Sequence, residues 1–211
     1  LSLFGYDPMQ MEFGRGLLEA LGSGYPLAPG EIAARGNFCT LDDKGEVTDR
    51  RAGRPTDAEC QRLCTLLSEQ VTVDGAQVQL LPGKEHRFTW VLTGDGFGAA
   101  VNDNDPQVTG RVPLPFAGRD DASERTATLA SHWLAQATQV LSGENAANSA
   151  LLRGFSTRPE VASFEDLYQL KSGAIAIYPM YRGVAQLVGM ESLDAGNSLA
   201  AQAAAVTAAV D

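Results

Sequence analysis

Residues 32–52 read IAARGNFCTLDDKGEVTDRRA, and this stretch decides the type of fold. Its first half, residues 32–41, is rich in apolar side chains and predicts a strand. Residues 46–52 predict a second strand. The residues between them, 42–45, are Asp-Asp-Lys-Gly, and an Asp- and Gly-containing link is typical of a tight hairpin turn. The stretch therefore predicts a β-hairpin and, with it, a sheet.

Helical patterns alternate with further strand patterns along the rest of the chain. Thr56, with Glu59 three residues later, predicts a capping box at the start of a helix whose buried face would carry Cys60, Leu63, Cys64, Leu67 and Val71. The other predicted helices are residues 14–21, a long helix capped by Asp121 or Ser123, and residues 164–170, 180–188 and 198–210. The other predicted strands are residues 78–81, 88–92, 151–155 and 174–178. This alternation predicts the α/β class, with a mixed β-sheet and flanking helices in a single compact domain.

Charge and composition exclude several classes of protein. The 211 residues include 16 Lys and Arg against 26 Asp and Glu, which gives a formal net charge of −10. Such an acidic chain repels phosphate backbones and anionic lipid, so neither a nucleic acid nor a membrane is an expected partner. The three cysteines lack the C-x-x-C spacing and are typical of reduced thiols, which predicts a cytoplasmic protein.

Several local patterns resemble cofactor or metal motifs but are better explained by structure. Residues 94–99 fit G-x-G-x-x-A after a strand, yet residues 102–106 (Asn-Asp-Asn-Asp-Pro) interrupt any helix that would follow. Residues 102–105 lack the Gly and Glu of a calcium loop and are interpreted as a turn formed by Asx side chains. His86 and His132 lie in separate elements, with His132 expected on an exposed helix face. No catalytic residue, metal ligand or cofactor is therefore predicted in this chain.

The arginines carry the most specific chemistry. Thirteen of the sixteen basic residues are arginine, and five of them lie at the ends of predicted strands or in the Gly-containing turn that follows one. Those with this placement are Arg50, Arg51, Arg54, Arg87 and Arg153. The planar guanidinium group suits phosphate and carboxylate, and backbone N–H groups beside glycine add donors. The pattern favours an anion site over the alternative, in which these residues only make the surface soluble.

Short motifs in a fixed order extend along nearly the whole chain. They include residues 5–8 (GYDP), 47–54 (VTDRRAGR), 103–106 (DNDP), 151–154 (LLRG), 163–165 (SFE) and 178–183 (YPMYRG). Together they resemble the archaeal-type cofactor-independent phosphoglycerate mutases, which are members of the alkaline phosphatase superfamily.

The resemblance implies that residues 1–211 are the inserted substrate-binding and lid domain of a longer two-domain enzyme, without its metal-binding phosphatase-like core. The absence of an initiator Met and the Ala-rich end agree with an excised piece. The parent would interconvert 2- and 3-phosphoglycerate in glycolysis through a phosphoserine and two divalent metal ions (Mn, Mg, Zn or Co). This piece would be inactive alone, and its partners would be the small phosphorylated substrate and the missing core.

The resemblance also gives roles to individual residues. Arg51, Arg54, Arg87 and Arg153 are the first candidates to bind the substrate's phosphate and carboxylate, and the second candidates are Arg50, Asn37, Asp103 and Asp105. Asp105 would either hydrogen-bond a glycerate hydroxyl or hold an arginine in place.

Two positions depart from the family pattern. Thr93 stands where the family usually has Arg, and Asn104 stands where it has Thr in Asp-Thr-Asp-Pro. Two alternatives therefore stay open. One is a related phosphohydrolase or phosphotransferase that acts on another small phosphate or phosphonate ester, and the other is a non-catalytic binding or assembly module.

Overall fold

The longest strand, β1 (Ile32–Leu41), is the centre of a five-stranded sheet in the computed structural model of the chain. It pairs with β2 (Val47–Asp49), with β4 (Arg87–Thr93) and with β5 (Ser149–Ser156), while β3 (Gln77–Pro82) pairs with β4. All of these pairings are antiparallel. Residues 35–37 of β1 are paired with β4 on one edge and with β5 on the other, so this part of β1 lies inside the sheet.

The structure describes residues 2–7, 13–196 and 198–210, and these form two compact units. The larger unit, residues 14–17 and 27–158, contains the five-stranded sheet with α2 (Asp57–Gln70) and α3 (Asp121–Val140). The smaller unit contains α4 (Phe164–Tyr168), α5 (Pro179–Leu187), α6 (Leu199–Val210) and the parallel pair β6 (Gly173–Ala174) and β7 (Glu191–Ser192). Helix α1 (Arg15–Gly22) has its first residues in the larger unit and its last in the smaller.

The α/β class with flanking helices is confirmed. Antiparallel pairing in the large sheet and parallel pairing of β6 with β7 both occur, and the single domain expected from the sequence divides into two compact units. None of the helices in the described ranges is both long and apolar enough for a membrane span.

The core of the larger unit lies between one face of the sheet and helices α2 and α3. Alternate residues of a strand point to opposite faces, so Ile32, Ala34 and Phe38 of β1 join this core while Arg35 and Asn37 do not. Trp90 of β4 and Trp133 of α3 are both buried and meet edge to face, with ring centroids 6.2 Å apart. The predicted buried face of α2 is confirmed, because all five of its predicted members are buried.

Helix starts differ from the predictions in two details. The Thr56 hydroxyl caps α2 by accepting from the Glu59 N–H at 3.2 Å, but the Glu59 carboxylate accepts from Arg62 and does not close the capping box. Helix α3 is capped by Asp120, whose carboxylate accepts from the Ser123 N–H at 2.8 Å. Neither Asp121 nor Ser123 is the cap, because both lie within the first helical turn.

Two predicted strands are shorter than the sequence indicated. Strand β2 ends at Asp49 because the Asp49 carboxylate accepts from the N–H groups of Arg51 and Gly53, and these bonds form a turn. The strand predicted over residues 174–178 is wrong. Only Gly173 and Ala174 form a strand there, since the partner strand β7 is two residues long and Pro179 then begins α5.

The smaller unit has its own apolar core. It consists of Tyr6, Ala185, Val188 and Met190, and the Tyr6 hydroxyl donates to the Ala162 carbonyl at 2.8 Å.

A glycine in β1 tests how tightly the larger core is packed. A Cβ on Gly36 would lie 2.2 Å from Cε2 of Phe88, which is fully buried and lies against Phe38 and Trp133. We expect Gly36→Ala to lower the free energy of unfolding by about 1–3 kcal/mol, because the Phe88 ring must move within a filled core. Urea unfolding followed by circular dichroism measures the change.

The matched control is Gly143→Ala, since no atom lies within 4 Å of a Cβ at that position. This variant should leave stability unchanged to within about 0.5 kcal/mol. Equal stability of the two variants would show that the Phe88 ring has room to move.

Candidate anion-binding site

The face of the sheet turned away from α2 and α3 carries a row of arginines. Arg35 of β1 is directly opposite Thr89 of β4 and Arg153 of β5, and Asn37 is directly opposite Arg87. Directly opposed residues in an antiparallel sheet share a face and have Cβ atoms about 4.5–5.5 Å apart. We call Arg35, Asn37, Arg87 and Arg153 the arginine face.

The turn after β2 presents further arginines. Asp49 accepts from the N–H groups of Arg51 (2.8 Å) and Gly53 (2.7 Å), and these bonds, that of Gly53 foremost, lower the pKa of its carboxyl. Ala52, Gly53 and Arg54 all have positive φ angles, of 48°, 67° and 56°, so the chain reverses tightly here. The turn leaves Arg51 and Arg54 exposed.

Asp105 joins the turn to the arginine face. Its fully buried carboxylate accepts from Arg50 Nε (2.9 Å) and Nη2 (2.6 Å), from Arg153 Nη1 (3.2 Å) and from the Gln107 N–H (2.9 Å). Burial raises its pKa, but the bond from Arg50, the other contacts and the charge of Arg153 outweigh burial and hold the pKa below its usual value. Of the two roles open to Asp105, the geometry matches the second, in which it holds arginines in place.

The loop that carries Asp105 is attached to the edge of β5. Asp103 Oδ1 accepts from the Gly154 N–H at 2.7 Å, and Asn104 Oδ1 accepts from the Leu152 N–H at 2.7 Å. The Asn104 N–H in turn donates to the Leu152 carbonyl at 3.1 Å. These Asp and Asn side chains thus accept hydrogen bonds from β5, 48 to 51 residues away in sequence. The bonds fix the position of Asp105 beside Arg153.

Arg153 is surrounded by positive charge. Its side chain is 14% exposed, and burial together with the charges of Arg35, Arg15 and Arg50 lowers its pKa, although Asp105 acts in the opposite direction. Its Nε is buried and has no hydrogen-bond partner in the part of the chain that the structure describes. A half-buried guanidinium with an unused donor and like-charged neighbours favours the binding of an anion.

His86 lies buried beside the same charges. Burial first, and then the charge of Arg87 with those of Arg35 and Arg51, lowers its pKa to about 4, although the Glu85 carboxylate 3.7 Å away raises it. The imidazole is therefore neutral at pH 7, and the positive charge on this side of the sheet comes from the arginines.

The structure brings together six of the eight candidate residues predicted from the sequence. The six that lie on or directly beside the arginine face are Asn37, Arg50, Arg87, Arg153, Asp103 and Asp105. Arg51 is exposed but close enough to affect His86, and Arg54 is 57% exposed and directed toward Glu85, with Nη1 3.9 Å from the carboxylate.

Thr93, the departure from the family pattern, lies at the other end of β4. It is six residues from Arg87, which is about 20 Å along a strand. Its hydroxyl donates to Glu31 Oε1 at 3.1 Å. The arginine face is therefore assembled without this position.

Two arginines of the site, Arg35 and Arg15, were not predicted. Arg35 could have been found, because it alternates with Asn37 within an otherwise apolar strand and so must share a face with it. Arg15 carried no such signal. It approaches β5 only because Gly154 lacks a side chain, since a Cβ there would lie 2.5 Å from the Arg15 nitrogen.

A cleft of about 520 Å³ beside α3 has different chemistry. It contains His132, Phe97 and Leu129 together with three carboxylates, those of Asp74, Asp121 and Glu124. Its one arginine, Arg125, donates from Nε to the Gly96 carbonyl at 2.7 Å. Its negative charge does not suit an anion.

The described side chains also bear on metal binding. Within residues 2–7, 13–196 and 198–210, no three His, Cys, Asp or Glu side chains are grouped so that they would hold a metal ion.

The contacts of Asp105 with Arg50 and Arg153 give a prediction about stability. Asp105→Asn should lower the free energy of unfolding by about 3 kcal/mol at pH 7, because it leaves Arg50 and Arg153 together without the buried carboxylate that compensates them. Glu59→Gln removes an ion pair with Arg62 on the exposed side of α2 and should cost less than about 1 kcal/mol. Urea unfolding of both variants checks this, and equal losses would show that Asp105 has no special part in positioning the arginines.

His86 gives a prediction about pH. Its folded pKa lies below its usual 6.5, so the stability contributed by the neutral ring is fully present above pH 6.5 and is lost as pH falls toward 4. Between pH 7 and 5 the free energy of unfolding of the parent chain should fall by about 2 kcal/mol more than that of His86→Gln. Unfolding at a series of pH values measures this, and an equal loss in His86→Gln and in the parent would contradict the prediction.

Comparisons with known proteins agree with this fold. The family model described as 2,3-bisphosphoglycerate-independent phosphoglycerate mutase matches residues 1–147. A probable 2,3-bisphosphoglycerate-independent phosphoglycerate mutase of Thermotoga sp. (strain RQ2) is 46% identical over 202 residues, which are 95% of this chain and 50% of that protein. A counterpart in Thermus thermophilus is 48% identical over 194 residues, which are 92% of this chain and 48% of that protein.

Solved structures give the same result. A cofactor-independent phosphoglycerate mutase from Thermoplasma acidophilum is 30% identical, with a TM-score of 0.67 over 93% of this chain and 56% of its own. A Pyrococcus horikoshii protein with 22% identity and a TM-score of 0.69 shares the fold. The chain spans about half the length of the curated relatives that it matches. It belongs to the 2,3-bisphosphoglycerate-independent phosphoglycerate mutase family.

Proposed function

We propose that this chain is the inserted substrate-binding domain, residues 1–211, of a phosphoglycerate mutase, and that its arginine face binds the acidic groups of 2- and 3-phosphoglycerate. The observation that carries the proposal is the state of Arg153. This side chain is largely buried, has an unused Nε donor and is surrounded by the charges of Arg15, Arg35 and Arg50. A bound anion would compensate that charge and use that donor.

Phosphoglycerate suits the site because it has two acidic groups. A phosphate and a carboxylate together accept hydrogen bonds from several guanidinium groups, and Arg pairs with both in a bidentate manner. The site has guanidinium groups at two positions along β1. Arg35 and Arg153 are opposite each other at the first position, and Arg87 lies opposite Asn37, two residues further along β1. Asp105 holds Arg50 and Arg153 and so reduces the number of side-chain conformations that a ligand has to select.

The chemical step belongs to the rest of the parent enzyme. Phosphoryl transfer depends on positioning and on charge stabilisation, and this chain provides both through its arginines. The phosphoserine and the two divalent metal ions of the proposed mechanism would be held by the phosphatase-like core. The described residues do not fit a metal site, so no step through a metal is assigned to this chain. We infer that the chain is inactive alone and that its parent is a glycolytic isomerase of the cytoplasm.

Binding of substrate by this chain gives the test. Calorimetric titration with 3-phosphoglycerate should show saturable binding, and Arg153→Ala should weaken it by roughly 10-fold or more, as expected for the loss of a charged hydrogen bond. Arg125→Ala removes the same charge from the cleft beside α3 and should change the affinity less than about twofold.

Sulfate and glycerate, which each carry only one kind of acidic group, serve as control ligands. Equal losses in the two arginine variants would mean that only net charge matters and would contradict the proposed site. Saturable binding of another phosphate ester, with none of phosphoglycerate, would favour a related phosphohydrolase or phosphotransferase.

A further inference from the structure

One group on the arginine face has the wrong polarity for an anion. Asn37 is 5% exposed, and its Oδ1 is buried without a hydrogen-bond partner among the residues that the structure describes. This oxygen is a hydrogen-bond acceptor. Phosphate and carboxylate groups are also acceptors only, so they pair with the guanidinium donors but not with this oxygen. A bound phosphate or carboxylate would therefore satisfy the arginines and leave Asn37 Oδ1 unsatisfied.

The surroundings of Asn37 restrict what can complete it. Its opposed residue on β5 is Leu151, which has no polar side-chain atom, and its opposed residue on β4 is Arg87. Arg35, with Arg153 opposite it, lies two residues from Asn37 along β1, which corresponds to about 7 Å between the two positions. A three-carbon acid spans this distance, so a ligand with acidic groups on the arginines would place its carbon chain beside Asn37.

We propose that Asn37 Oδ1 accepts a hydrogen bond from the free hydroxyl of the bound phospho acid, which makes Asn37 the residue that selects hydroxylated phospho acids. Both 2- and 3-phosphoglycerate have one such hydroxyl. A site with a buried acceptor rejects a ligand that lacks the donor, because the acceptor is then left desolvated and unpaired. This inference rests on the proposed function, since it assumes that the arginine face binds the acidic groups.

The experiment compares two ligands that differ only in the hydroxyl. One is 3-phosphoglycerate, and the other is 3-phosphonooxypropanoate, which has hydrogen in place of the 2-hydroxyl. The full 211-residue chain should bind 3-phosphoglycerate about 10-fold more tightly, the effect expected of one hydrogen bond. In Asn37→Ala the ratio of the two affinities should fall to about 1, because the acceptor is gone.

Arg153→Ala is the matched variant for this ratio. It should weaken both ligands equally and keep their ratio, since both ligands have the same acidic groups. A general disturbance of the site would also weaken both ligands without changing their ratio, so only loss of hydroxyl recognition moves it. Asn37→Leu, of similar volume and without the acceptor, is the second variant and decides the matter if circular dichroism shows that Asn37→Ala does not fold.

The outcomes separate the two proposals. Binding of 3-phosphoglycerate with a ratio of about 1 in the parent chain, or with an unchanged ratio in the Asn37 variants, overturns the role of Asn37 and leaves the proposed function intact. Absence of any phosphoglycerate binding by the parent chain overturns both.

Discussion

Arginines held together on one face of a sheet repel one another, and Asp105 offsets part of this repulsion by pairing with Arg50 and Arg153. Its carboxylate is fully buried and is shared between Arg50, through two bonds, and Arg153, through one. Burial, together with the charges of Arg35, Arg15 and Arg50, lowers the pKa of Arg153, although Asp105 acts in the opposite direction. The same carboxylate therefore helps to hold Arg50 and Arg153 together in a buried setting, where uncompensated guanidinium groups would be costly.

The two faces of β1 explain how one strand serves both stability and binding. Ile32, Ala34 and Phe38 contribute to the aromatic core against α2 and α3, while Arg35 and Asn37 point to the other side. The core holds β1 between β4 and β5, and this register brings Arg87 and Arg153 beside the polar residues of β1. The arrangement of the arginine face thus depends on packing at the opposite face of the same strand.

Periodicity explains which parts of the structure could be predicted. The bounds of β1 and the buried face of α2 follow from local patterns of two and of three to four residues, and both are confirmed. The contact of Asp105 with Arg50 joins residues 55 positions apart, and no local pattern encodes it. The run at residues 174–178 shows the opposite error. An apolar stretch resembles a strand, but without a partner strand of the same length it cannot form a ladder.

The charge of the whole chain adds specificity to this arrangement. A formal net charge of −10 repels anions at a distance, so a weakly charged or misplaced anion gains little from approaching the protein. The arginine face reverses the sign locally, in a half-buried setting where screening by solvent is reduced. Under the proposed function, a ligand whose acidic groups match the spacing of the guanidinium groups would gain more than one with a single acidic group.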